Sequence, residues 1–195
     1  MSSSTITLND STVTPWIAFG TGTTFFGKDA YQCTQLAIRS GFTHLDGAQF
    51  YANEDSLGRG IVASGKPRSE LYVTTKLHRL NAGQTVKETL QLSLKKLGLD
   101  YVDLFLIHFA SHHQGRLQQV WKEMEGVKND GLTKCVYSFW SLAWREWNGR
   151  RRSIGVSNFN VKALKEILDV ATIKPAVNQV CCCLISGSTY KIYAT

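Results

Sequence analysis

An α/β fold with a parallel sheet is what this sequence predicts, and three observations predict it. Apolar strand-like runs alternate with amphipathic helical stretches about every 25–40 residues, the sequence form of repeated βαβ units. The run Tyr101–His108 is almost continuously apolar, broken only by Asp103, as suits a strand covered on both faces. Asp46, Tyr51, Lys76 and His108 stand at or just past the ends of such runs. In a parallel barrel, the C-terminal strand ends are where side chains from different strands meet.

Taken in order, residues 13–24 (VTPWIAFGTGTT) read as a first core strand closed by Gly20 and Gly22. The glycines fit either an ordinary turn or a loop with close backbone approach to a ligand, with Gly20 and Thr21 the ligand-facing candidates. The loop lacks the GxGxxG spacing of a dinucleotide-binding turn. Asp29–Ser40 reads as a helix with Cys33, Leu36 and Ala37 on one face, stopped by Gly41. A strand follows at HLDGAQ, then a helix over Glu54–Ser64 and a third strand over Leu71–Leu77. Thr85 and Glu88 form a capping box ahead of a helix striped by Leu90, Leu94 and Leu97 and ended by Gly98. After the strand Tyr101–His108, a helix over Gly115–Lys128 has Val120, Met124 and Val127 on one face, and Asn129-Asp130-Gly131 marks a turn. Residues 153–158 read as a fifth strand. A fifth helix carries Val161, Leu164, Ile167 and Leu168 on one face, and Pro175–Val180 is a sixth strand. The pattern stops at five units plus a strand, where an eight-stranded barrel takes about 250 residues.

Composition narrows the class. An apolar fraction of 43% over 195 residues suits one domain with a sizeable core. The start MSSSTITLND has neither a basic region nor an apolar core of a signal peptide, and no long apolar run suggests a membrane span. A cytoplasmic protein is expected. The net charge of +7 is uneven, because Arg145, Arg150, Arg151 and Arg152 against Glu146 contribute +3 of it within residues 135–152. With no nucleic-acid-binding motif, that charge does not point to nucleic acid. The five cysteines, three of them adjacent at 181–183, have no zinc-site or disulfide spacing, so no metal is expected. Cys33 reads as a small buried apolar residue.

Each chemical residue has a plain alternative when taken singly. Asp46 can cap a loop, Lys76 can be a strand-end charge in solvent, and His108 can be a satisfied core histidine. Ser157 and Asn158 can cap the following helix. His44, His78, His112 and His113 carry no functional pattern.

Together, GFTHLDGAQFYANE (41–54), TTKL (74–77), LFLIHF (104–109), IGVSNF (154–159) and PAVNQV (175–180) resemble the aldo-keto reductases in order and, up to Lys134, in spacing. The resemblance covers residues 13–134 and 153–180. It implies a (β/α)8 TIM barrel, here incomplete, that reduces aldehydes and ketones with NADPH. By that resemblance Tyr51 is the proton donor, Lys76 and Asp46 its tuning pair, and His108 orients the carbonyl. Ser157, Asn158 and Gln179 match the residues that hold the nicotinamide carboxamide, and Phe109 a substrate-pocket aromatic. The chemistry is consistent: a phenol of pKa about 10 is a poor acid at neutral pH, and a nearby ammonium favours its ionised form.

Two segments depart from the family pattern. Residues 135–152 hold Tyr137, Phe139, Trp140, Trp144 and Trp147. They read either as an interfacial helix or as an unspliced intron of eighteen codons, and the abrupt compositional break favours the second. Residues 181–195 match nothing in the family and show no periodic pattern, so strands seven and eight are not expected. The chain is then one truncated barrel domain. Since phosphate-binding loops follow strands 7 and 8 in such barrels, it is expected to be unstable alone and to bind NADPH poorly. The alternative to a reductase is therefore a catalytically inactive chain.

Overall fold

A computed structural model describes residues 4–130, 153–182 and 189–193. The chain opens with an antiparallel hairpin, β1 (Thr5–Thr7) and β2 (Val13–Pro15). The apolar run from residue 13 is thus split, and only β3 (Ala18–Gly20) enters the main sheet. Pro15 closes β2 because it has no N–H to give a continuing ladder.

The main sheet runs β3, β4 (His44–Asp46), β5 (Tyr72–Leu77), β6 (Leu104–Ile107), β7 (Ser153–Ser157), β8 (Asn178–Cys182) and β9 (Thr189–Tyr193). From β3 to β8 neighbours pair parallel and in chain order. Between them come α1 (Tyr31–Arg39), α2 (Glu54–Ala63), α3 (Val86–Leu97), α4 (Leu117–Asn129) and α5 (Val161–Leu168). Among the described residues this is a parallel half-barrel of six strands with five helices, an incomplete (β/α)8 fold as read from the sequence. No periodic pattern marks the segment after Val180, yet β9 pairs antiparallel with β8. Adding a strand to a sheet edge asks only for backbone donors and acceptors. Residues 135–152 lie outside the described residues.

Local signals explain the helices. Glu88 N–H donates to Thr85 Oγ1 while Thr85 N–H donates to Glu88 Oε2, and Gly98 closes α3 in the left-handed conformation. Asn160 caps α5 by accepting from Ala163 N–H, so Ser157 and Asn158 are not its cap. Of the predicted face of α1 Ala37 is buried, beside Thr34 and Ile38, while Cys33 and Leu36 are exposed. Packing against α2 sets that face, because Gly60 of α2 lies so close that a Cβ there would stand 2.6 Å from Thr34 Cβ. On α5, Ala163 and Ile167 are buried, and Val161 and Leu168 are not. Among the described residues no helix is long and apolar enough to cross a membrane.

Strand parity divides the side chains into two layers. Phe105 and Ile107 join the apolar layer between sheet and helices, with Leu45, Val73, Leu77, Ile154 and Val156. Leu104 and Leu106 face the other way, into an inner cluster with Leu8, Ala176 and Val177. Leu8 comes from the hairpin, whose loop is fastened beneath the sheet: Asn9 Nδ2 donates to Pro175 O, Ser153 Oγ donates to Asp10 Oδ2, and Lys128 bridges to Asp10. The hairpin therefore closes the N-terminal end of the strands and leaves the C-terminal end for chemistry.

Candidate active site

Register brings the chemical residues to one face. Gly20 pairs with Asp46, Asp46 with Thr74, Lys76 with Leu106, Leu106 with Gly155, and Ser157 with Gln179. Two-residue steps along β5, β6 and β7 then place Gly20, Asp46, Lys76, His108, Ser157 and Gln179 on the inner face at the C-terminal end. Six strands each deliver one residue.

The centre is an ion pair. Lys76 Nζ lies 2.6 Å from Asp46 Oδ1 and 3.0 Å from Gly47 O, with side chains 1% and 3% exposed. Neither solvent nor a loop cap accounts for them. Burial lowers the Lys76 pKa, and the Asp46 carboxylate opposes that shift. Tyr51 follows β4 in a short 3-10 turn, Gln49–Tyr51, and is buried. Its ring centroid lies 5.2 Å from Lys76 Nζ and 5.4 Å from that of His108, at 82°.

His108 is not a satisfied core histidine, since its Nδ1 is buried without a hydrogen-bond partner among the described residues. Burial first, then the Lys76 ammonium, push its pKa down to about 3. The ring is therefore neutral across the physiological range, and Phe109 stacks on it at 4.2 Å.

Ser157, Asn158 and Gln179 form a second group. Ser157 Oγ donates to Gln179 O at 2.8 Å, and Asn158 Nδ2 donates to Ser157 Oγ and His108 O. Asn158 takes a left-handed φ of 58°, which Asn tolerates better than most residues. Gln179 Nε2 reaches Asp46 Oδ1 at 3.4 Å, while its Oε1 is buried without a partner among the described residues. That orphaned acceptor fits an amide donor such as the carboxamide implied by the family resemblance.

In the loop after β3, Thr21 is fully buried and its hydroxyl is shared between Asn53 Oδ1 and Asp46 O. Gly22 makes the close approach instead: a Cβ there would lie 2.4 Å from Tyr51 Cζ. Phe50, His78 and His112 were not marked by any sequence pattern, yet they wall the same mouth. Phe50 lies 4.6 Å from His78 and 6.0 Å from His108, and His78 lies 4.7 Å from His112 between centroids. Their one signal is position, just past the ends of β4, β5 and β6. His44 sits apart, lower in the sheet, bonded to Thr74 Oγ1 at 2.9 Å.

A sequence model of the Aldo/keto reductase family matches residues 16–192. An aldo-keto reductase of Mycolicibacterium vanbaalenii is 39% identical over 90% of this chain and 57% of its own length. Glyoxal reductase of Bacillus subtilis is 34% identical over 90% of this chain and 57% of its length. For glycerol 2-dehydrogenase (NADP(+)) of Saccharomyces cerevisiae the values are 35%, 90% and 59%. The chain thus spans a little over half the length of the curated relatives it matches. The crystal structure of a Bombyx mori aldo-keto reductase in complex with NADP superposes with a TM-score of 0.73 at 32% identity, covering 93% of this chain and 59% of that one.

Proposed function

Because the chain belongs to the aldo/keto reductase family, we propose that it reduces an aldehyde or ketone to an alcohol with NADPH, at the site centred on Tyr51. One observation carries this reading: a buried ammonium, held by a carboxylate at 2.6 Å, stands 5.2 Å from the ring of a buried phenol. An ammonium beside a phenol favours phenolate and so eases release of the phenolic proton. Tyr51 then protonates the carbonyl oxygen as negative charge develops there. Asp46 gives Lys76 the partner that a buried charge needs. His108, uncharged at neutral pH, orients the carbonyl oxygen by a hydrogen bond without competing for the proton.

Ser157, Asn158 and Gln179 are the residues that would hold the carboxamide, and Gly20 and Thr21 form the loop facing the cofactor. When bound, the nicotinamide supplies a hydride. NADPH is preferred because the yeast glycerol 2-dehydrogenase is named for NADP(+) and the Bombyx mori aldo-keto reductase is a complex with NADP. Phe109, with Tyr51 and His108, faces a small carbonyl substrate, and the setting proposed is the cytoplasm.

The test is NADPH consumption by the purified chain with a generic aldehyde, against Tyr51→Phe. Carbonyl-dependent consumption lost in the variant supports the reading. Its absence in the unaltered chain overturns it in favour of a catalytically silent chain.

A further inference from the structure

We infer that Gln49 is a positioning residue that sets the approach of Tyr51 to Lys76. The inference rests on the reading of Tyr51 as the proton donor. Gln49 opens the 3-10 turn that ends in Tyr51, and its side-chain amide is fully engaged on two other elements. Its Nε2 donates to Ser93 Oγ at 3.0 Å and to Thr89 O at 3.3 Å, both on α3. Its Oε1 accepts from His78 N–H at 2.8 Å, just beyond β5. A second tie lies on the far side of Tyr51, where Thr75 Oγ1 donates to Glu54 Oε1 at 2.7 Å.

These two ties bracket both partners. Residues 49 and 54 flank Tyr51 in the chain, and their partners 78 and 75 flank Lys76. The Gln49 tie runs from side chain to backbone and the Glu54 tie from side chain to side chain, so the segment around Tyr51 is fastened to β5 and its end on both sides. Tyr51 N–H donates to Ala48 O at 3.1 Å and Tyr51 O accepts from Gly27 N–H at 2.9 Å, and neither bond reaches β5. The Lys76 bonds to Asp46 and Gly47 fall ahead of the turn, and the side chain of Gln49 carries the tie to β5 into the turn itself.

The readout is ionisation of the Tyr51 phenol by ultraviolet absorbance, taken as the difference between each full-length protein and its Tyr51→Phe counterpart. This needs neither cofactor nor carbonyl, so failure of the reductase reading leaves it intact. Gln49→Met keeps the length and removes all three bonds. It is expected to move the Tyr51 midpoint upward by at least about half a pH unit, as the ammonium recedes from the phenolate. Ser93→Ala removes one of the three bonds without adding charge and is expected to move the midpoint upward by a smaller amount. An unchanged midpoint in Gln49→Met, or equal shifts in both variants, overturns the inference. Should Gln49→Met lose its near-ultraviolet circular dichroism, Ser93→Ala alone carries the test. A smaller upward shift then supports the inference, and no shift overturns it.

Discussion

Replacing Asp46 with Asn strands the Lys76 ammonium. The pair is 2.6 Å apart with side chains 3% and 1% exposed, so water cannot take over from the lost carboxylate. Breaking a buried pair by removing one partner costs about 3–5 kcal/mol, a large share of the ~5–15 kcal/mol that holds a typical domain. Lys76→Met should cost a similar amount, because Asp46 then loses its 2.6 Å ammonium partner and keeps a long 3.4 Å contact from Gln179. The double variant Asp46→Asn/Lys76→Met leaves no unpaired charge and should cost less than either single change. Urea unfolding at pH 7, followed by fluorescence of the buried Trp121, measures all four proteins. The pH dependence supplies a second check. Lys76 already titrates below its ordinary value, and losing Asp46 lowers it further. Above that lowered value the unfolded chain binds more protons than the folded one, so stability rises with pH until the ordinary lysine value is reached. Asp46→Asn should therefore recover stability toward pH 10. Single variants within about 1 kcal/mol of the parent, or a double variant costing the sum of the singles, would refute the reasoning.

Other outcomes follow from neighbouring geometry. Gly22→Ala places a Cβ 2.4 Å from Tyr51 Cζ; it should destabilise the chain by about 1–3 kcal/mol, seen by urea unfolding, and reduce carbonyl-dependent turnover. Acid should weaken the fold through two histidines whose pKa values fall, mainly by burial, to about 3 for His108 and about 4 for His113. Their contribution is fully present above the unfolded value near 6.5 and is lost as pH falls toward the folded values. At pH 5 each loses about 2 kcal/mol. His113→Asn should shrink the pH 7 to pH 5 loss by about that amount, and an unchanged loss would count against it.

Much of this was legible because it is local or periodic. The capping box of α3 needs only residues 85 and 88, and strand parity alone predicts that residues at the ends of β4, β5 and β6 share a face. The hairpin was not legible, since Val13–Pro15 and Ala18–Gly20 form one apolar run whose division depends on which partner strand each finds. The buried face of α1 was only partly read, because Gly60, a distant residue, decides it. Gln49 and Glu54 carried no signal either. Each is an ordinary polar residue, and its importance lies in partners 21 to 44 positions away.

The fastening of the hairpin bears on how the chain folds as it is synthesised. Asn9 finds its partner 166 residues later, and Asp10 reaches Ser153 across 143. A nascent chain leaving the ribosome carries Leu8 uncovered until β7 and the approach to β8 have emerged. Contacts of such long sequence separation form late and slowly. During that interval the inner face of the early strands is the part of the molecule that a chaperone, or a neighbouring nascent chain, meets first.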